Sequence, residues 1–164
     1  MKYLKIIFAC FLILALVSSY SSTSYAMSNA STATDELDEQ FEGYYLETVI
    51  EDVPVSSNNI SLSSTTNYVT KTKTTNLKDS NGNVMCSLSI TAKFAYDGTT
   101  AQCVSYSPKT TVNATYWTAQ NLSSINKLSY VSASATFVFS PPFGSELSKD
   151  VSLTISCTPD GTVY

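Results

Sequence analysis

The chain has 164 residues, 43% of them hydrophobic and only 13% charged, with nine basic and thirteen acidic residues for a net charge of −4. It contains no histidine, and every basic residue is a lysine. These absences remove Ser-His and Cys-His nucleophile pairs, imidazole metal ligands and the bidentate guanidinium fork, and an acidic balance argues against a nucleic-acid partner, whose phosphates need a cationic face.

Residues 1–26 have the layout of a secretory signal peptide. Lys2 and Lys5 precede an unbroken apolar run from Ile6 to Val17, and Ser24-Tyr25-Ala26 supplies small residues at the positions a signal peptidase reads. The run is too short to span a membrane. Cys10 lies inside it, which argues against a lipid anchor. The expected product is soluble, secreted and extracellular, begins at Met27, has no membrane span, and is large enough for one core.

Residues 27–65 read as an acidic leader and linker. Met27 to Val55 holds eight acids and no lysine, whereas from Ser56 onward seven lysines face five acids. Such segregation predicts a leader distinct from the domain that follows. Leu37, Phe41, Tyr44 or Tyr45, and Val49 recur at roughly helical spacing. Thr34 is placed to cap and Pro54 to close a short helix over 35–50, although Gly43 weakens it. The competing reading is a solvated acidic spacer; a removable pro-segment or a docking helix is the sharper one. Ser56 to Asn67 reads as a polar linker, with one short strand at Ile60 to Leu62.

Residues 66–164 read as an all-β domain, a small antiparallel β-sandwich that is immunoglobulin-like in general architecture. From Val84 to Tyr96 every second residue is apolar or small, which gives one buried and one wet face. A two-residue Asp97-Gly98 turn would set Phe94 opposite Ala101 and Ala92 opposite Cys103. On the other side, a three-residue Ser80-Asn81-Gly82 loop sets Asp79 opposite Asn83. It is expected to turn Lys71 and Lys73 to water, because the alternative register places both beside Ile90 and Ala92. Further strands are expected at Thr110–Trp117, at Lys127–Ser140 after a polar break, and from Val151 to Cys157 beyond the prolines of Ser140–Ser148.

Cleavage would leave Cys86, Cys103 and Cys157. The hairpin register separates Cys86 from Cys103 by about 20 Å along the strand, too far for a disulfide. Cys103–Cys157 and Cys86–Cys157 stay open. Cys103, Trp117 and Cys157 follow the immunoglobulin order, but Ile155 stands where that pattern has tyrosine.

The run "TKTKTTNLKDSNGNVMCSLSITAKFAYDGTTAQC", the later "YW" and the closing "VSLTISCTPDGTVY" resemble a group of small exported proteins of Gram-positive gut bacteria, over Thr70 to Tyr164. The shared motifs are structural, so the resemblance implies a fold and no activity. It also implies a Cys103–Cys157 disulfide, with Cys86 as an extra buried thiol where the group has tryptophan.

Three patterns mimic sites. Asp79, Asn81 and Asn83 alternate like the start of a calcium loop, but the closing acid is missing. Asp97, Glu146, Asp150 and Asp160 lie mainly at turns rather than as a catalytic pair. Tyr106, Tyr116, Trp117 and Tyr130 form a candidate aromatic contact face. No catalytic residue, cofactor or metal is expected. The functional expectation is a secreted non-enzymatic module that binds a protein or envelope component. A bacteriocin-like effector with an acidic pro-segment and a glycan or cell-wall binding module are the alternatives.

Overall fold

The computed structural model describes residues 34–35, 41–53 and 66–164. The expected signal peptide, the rest of the acidic leader and the strand expected at Ile60–Leu62 lie outside the described residues. The strands are β1 (Thr34–Asp35), β2 (Tyr44–Asp52), β3 (Asn67–Asp79), β4 (Val84–Tyr96), β5 (Ala101–Val112), β6 (Trp117–Lys127), β7 (Tyr130–Phe139) and β8 (Leu147–Ser156). They form two antiparallel sheets, β1-β2-β3-β4-β5 and β6-β7-β8, as expected of a small sandwich. Every neighbour is also a neighbour in sequence, so each sheet is a meander, and the immunoglobulin likeness stops at two facing antiparallel sheets.

The alternating pattern of β4 packs as its sequence predicts, with Cys86, Leu88, Ile90, Ala92 and Phe94 fully buried. Val131, Ala133, Ala135 and Phe137 of β7 and Val151, Leu153 and Ile155 of β8 face them from the second sheet. Each large side chain in this layer contributes roughly 1.5–3 kcal/mol of burial. The smaller sheet lies mainly over β3, β4 and β5, with β8 against β3 and β4.

The helix expected at 35–50 is a strand over Tyr44–Asp52. Gly43 takes φ +86°, which ends any helix there, and β2 pairs with β3 from Tyr44↔Asp79 to Asp52↔Lys71. Tyr44 and Leu46 turn inward on the core, and Phe41 is 3% exposed. Part of the charge segregation that suggests a separate leader is a cross-strand match: of its eight acids, Glu47 pairs with Lys78, and Asp52 with Lys71. The domain therefore begins before residue 66.

The hairpin registers differ from expectation at two places. Asp79 does face Asn83, and Gly82 takes φ +83°. A bulge between Leu77 and Lys78 then shifts the pairing, so Lys73 sits opposite Ile90 and Lys71 opposite Ala92. Both lysines occupy the inner parity, opposite the solvent-facing one expected from the turn. They are accommodated because each head group escapes to a partner: Lys71 to Asp52, and Lys73 to the carbonyl of Thr154 at 2.8 Å. The Asp97 connection has four residues, with Tyr96 opposite Ala101 and Phe94 opposite Cys103. Its length is fixed by the Asp97 carboxylate, which accepts the amides of Thr99 and Thr100 at 2.9 and 2.7 Å.

Thr110–Trp117 spans a corner rather than a strand: β5 stops at Val112 and β6 starts at Trp117. The polar stretch after it is β6 itself. An edge strand with a polar outer face carries little apolar alternation, and a bulge between Gln120 and Ser123 breaks what there is.

Candidate functional site

The four residues of the expected aromatic face are not brought together. Trp117 is 6% exposed and packs between Tyr44 and Phe139, at ring-centroid distances of 5.6 and 5.2 Å. Tyr130 lies at the opposite end of the β6–β7 hairpin, Tyr116 projects from the corner before β6, and Tyr106 sits on β5 opposite Ala92. Trp117 is a core residue. The others are separate exposed rings.

The acids at turns hold their own loops. Asp79 accepts the amides of Asn81 and Asn83 and the side-chain amide of Asn83, which leaves it poorly placed to begin a calcium site. Asp160 does the same for Thr158 and Thr162. The hydrogen bonds hold the carboxyls of Asp79, Asp97 and Asp160 below their ordinary value of 3.8.

The three cysteines among the described residues are buried thiols in this structure, and the expected Cys103–Cys157 bridge is not formed. Their backbones nevertheless converge: Cys103 N–H donates to the Leu128 carbonyl at 2.7 Å and Cys157 N–H to the Ser129 carbonyl at 3.0 Å. Cys86 lies on the inner face of β4 opposite Leu77 and Val112, away from both. Burial raises all three thiols, Cys86 to about 11, so none is an activated nucleophile.

A different place combines shape with unpaired polar groups. The inner faces of β2 and β3 extend beyond the edge of β8, and the two sheets bound a groove of about 350 Å³. Thr48 and Ile50 of β2 and Lys73 and Thr75 of β3 form one wall; Ser152, Leu153 and Thr154 of β8 form the other. Thr75 is buried, and its hydroxyl is satisfied by Thr48 at 2.9 Å. Tyr164 closes one end by exchanging two backbone hydrogen bonds with Ser156, at 3.0 and 3.1 Å.

Those two bonds fix the direction in which β8 presents its backbone. Ser156 turns its N–H and C=O away from β7, and alternation along an antiparallel strand turns those of Thr154, Ser152, Asp150 and Ser148 the same way. Among the described residues no strand pairs with that side of β8. Lys73 covers one carbonyl, that of Thr154. The other long edges carry features that discourage pairing. β5 has Pro108 and a register shift, β6 has a bulge with Asn121 at φ +55°, and the far edge of β2 carries β1. β8 is regular over its whole pairing with β7 and contains no proline.

A second depression, of about 620 Å³, lies among the Asp97–Thr100 loop, the Leu128–Ser129 turn and the C-terminal turn. It has no charged side chain, and much of its rim is backbone already bonded between the turns, as in Gly98 N–H to Pro159 O at 2.9 Å. The groove beside β8 is the better candidate, since it offers backbone groups left unpaired among the described residues, apolar contacts at Ile50 and Leu153, and a cation. The β8 alternation was visible in the sequence. The inequality of the two sheets, which opens the groove, was not. No family model, curated protein or solved structure was found to match this chain.

Proposed function

We propose that the protein is a secreted, non-enzymatic binding module that takes an extended segment of a partner protein as an added strand along β8. The observation that carries this reading is the regular β8 edge, unpaired among the described residues, beside an inner face of β2 and β3 that the described residues leave uncovered. Backbone pairing supplies affinity in such additions, and alternate side chains supply selectivity. The lack of histidine and the raised thiols support the non-enzymatic part. Export through residues 1–26 belongs to the same proposal, and intact mass of protein recovered from culture medium, beginning at Met27, checks it.

The removable acidic pro-segment draws no support from β2, whose nine residues are integrated into the sheet and the core. A glycan platform would need rings exposed together, and of the four candidate rings Trp117 is buried and the other three stand on different elements.

The binding test uses the chain from Met27 and a phage-displayed library of random nine-residue peptides. Selected peptides should slow amide hydrogen exchange at Ser152 and Thr154. Ser152→Pro removes only the outward N–H and is compatible with an edge strand, so it should abolish binding while leaving the melting temperature nearly unchanged. Protection confined to the turns around Asp97 and Leu128 would reject the reading.

A further inference from the structure

We infer that the segment received by the β8 groove carries a carboxylate side chain that seats on Lys73. The inference rests on the strand-addition reading and names the chemistry that reading selects. It comes from the one charged side chain in the groove wall and from what surrounds it.

The bulge at Leu77/Lys78 puts Lys73 on the inner parity of β3, between Ile50 of β2 and Ile90 of β4. Its amine reaches across to the second sheet and donates to the Thr154 carbonyl. An ammonium has three donors, and this contact uses one. Among the described residues no carboxylate pairs with Lys73, whereas Lys71, two positions along the same face, pairs with Asp52, and Lys78 on the opposite face pairs with Glu47. Asp150, an acid on β8 itself, is taken by the Thr136 hydroxyl on the outer face at 2.7 Å. The groove thus holds one cationic side chain that makes no ion pair with a carboxylate among the described residues. Burial lowers the Lys73 pKa from 10.5, so its charged form is less favoured there than in water.

The same contact gives the binding step a mechanism. Thr154 turns its carbonyl toward the free side of β8, where an added strand would place an N–H. As that N–H takes over the Thr154 carbonyl, the Lys73 amine is released within reach of the incoming side chains that face the groove floor. Alternate residues of an added strand point to one face, so the carboxylate would be flanked two residues away by side chains over Ile50 and Leu153. The selected pattern is therefore a single inward acid with apolar or β-branched inward neighbours. An ammonium–carboxylate hydrogen bond in a half-buried site outweighs a neutral one, and a preference of about tenfold for Glu over Gln is expected.

The experiment takes the library-selected peptides and measures their affinity for the mature chain as synthesised and as Glu→Gln twins, with amide exchange at Ser152 as the reporter of the binding place. Enrichment of Glu or Asp at one inward position, about tenfold weaker binding of the Gln twin, and loss of that preference in Lys73→Met with partial rescue in Lys73→Arg would bear the inference out. Peptides that protect Ser152 but bind the chain equally as Glu and Gln forms overturn the carboxylate and leave strand addition standing. Absence of any peptide that protects Ser152 overturns both. A dimer in solution that Ser152→Pro converts to monomer also overturns the inference, because the occupant would then be β8 of a second copy.

Discussion

Gly161 shows how tightly the C-terminal turn is fitted to the first sheet. It adopts φ +90°, and a Cβ built there would lie 2.4 Å from the Tyr96 ring. Gly98 also has positive φ, at +87°, but open space surrounds it. The two therefore separate backbone strain from contact. Gly98→Ala should cost about 1 kcal/mol, from the left-handed backbone alone. Gly161→Ala should cost about 2–3 kcal/mol, because Tyr96 must also move. Urea midpoints of the two variants check the order, and equal losses would mean that the Tyr96 contact carries no weight. A second prediction at this scale concerns acid. The folded-state pKa values of Asp79, Asp97 and Asp160 are depressed by turn hydrogen bonds. A depressed carboxyl contributes stability above its unfolded value, ordinarily 3.8, and loses it as pH falls through the folded value. Thermal stability should thus be nearly flat from neutral pH down to about 5 and fall below about 4. Asp97→Asn should be less stable at neutral pH and lose less on acidification.

At the scale of elements, β2 is the strand on which the domain boundary turns. It contributes Leu46 and Tyr44 to the core, brings Phe41 with it, and pairs along most of β3. Removing it would expose Leu77 and the Trp117 edge and forfeit several residues worth roughly 1.5–3 kcal/mol each, against a total domain stability of about 5–15 kcal/mol. A chain beginning at Thr66 should unfold at much lower urea than one beginning at Thr34, and a synthetic peptide of residues 41–53 should restore part of the loss. Equal midpoints would return β2 to the status of a dispensable leader. The reason β2 was hard to read is physical. Its residues alternate, but Leu37, Phe41, Tyr44 and Val49 also fit a helical period, and only pairing with β3 decides between them. β4 was legible because its two faces differ from end to end. The register of Lys71 and Lys73 was not, because one extra residue in β4, Met85, opposite the Leu77/Lys78 step moves the side chains of β3 from Leu77 back to the other face without any turn residue to announce it. The groove follows from that same shift, so the residue on which it depends, Lys73, looks solvent-facing in the sequence.

For the whole molecule, the two sheets are closed at one end by Trp117, Tyr44 and Phe139, and at the other by three turns that lean on one another. The second closure has no large aromatic stack. It depends on the Leu128–Ser129 turn, whose successive carbonyls receive Cys103 and Cys157, and on the Gly98 amide bound to Pro159. A covalent link at this end would tie the edge of the first sheet to the end of β8, and the two backbones converging on one turn favour Cys103–Cys157 over any pair with Cys86, which sits on the inner face of β4 opposite Leu77 and Val112. In an oxidising compartment the chain should therefore carry one disulfide, Cys103–Cys157, and one thiol, Cys86, that resists alkylation until the protein unfolds. Closing so long a loop stabilises by about 4 kcal/mol in the chain-entropy picture, so reduction should lower the melting temperature while Cys86→Ser leaves the bridge intact. Intact mass with and without alkylation, followed by peptide mapping, reads the pairing directly. Three alkylated thiols without reduction would show that the turns close this end of the sandwich alone, and a bridge to Cys86 would require β4 to abandon the register described here.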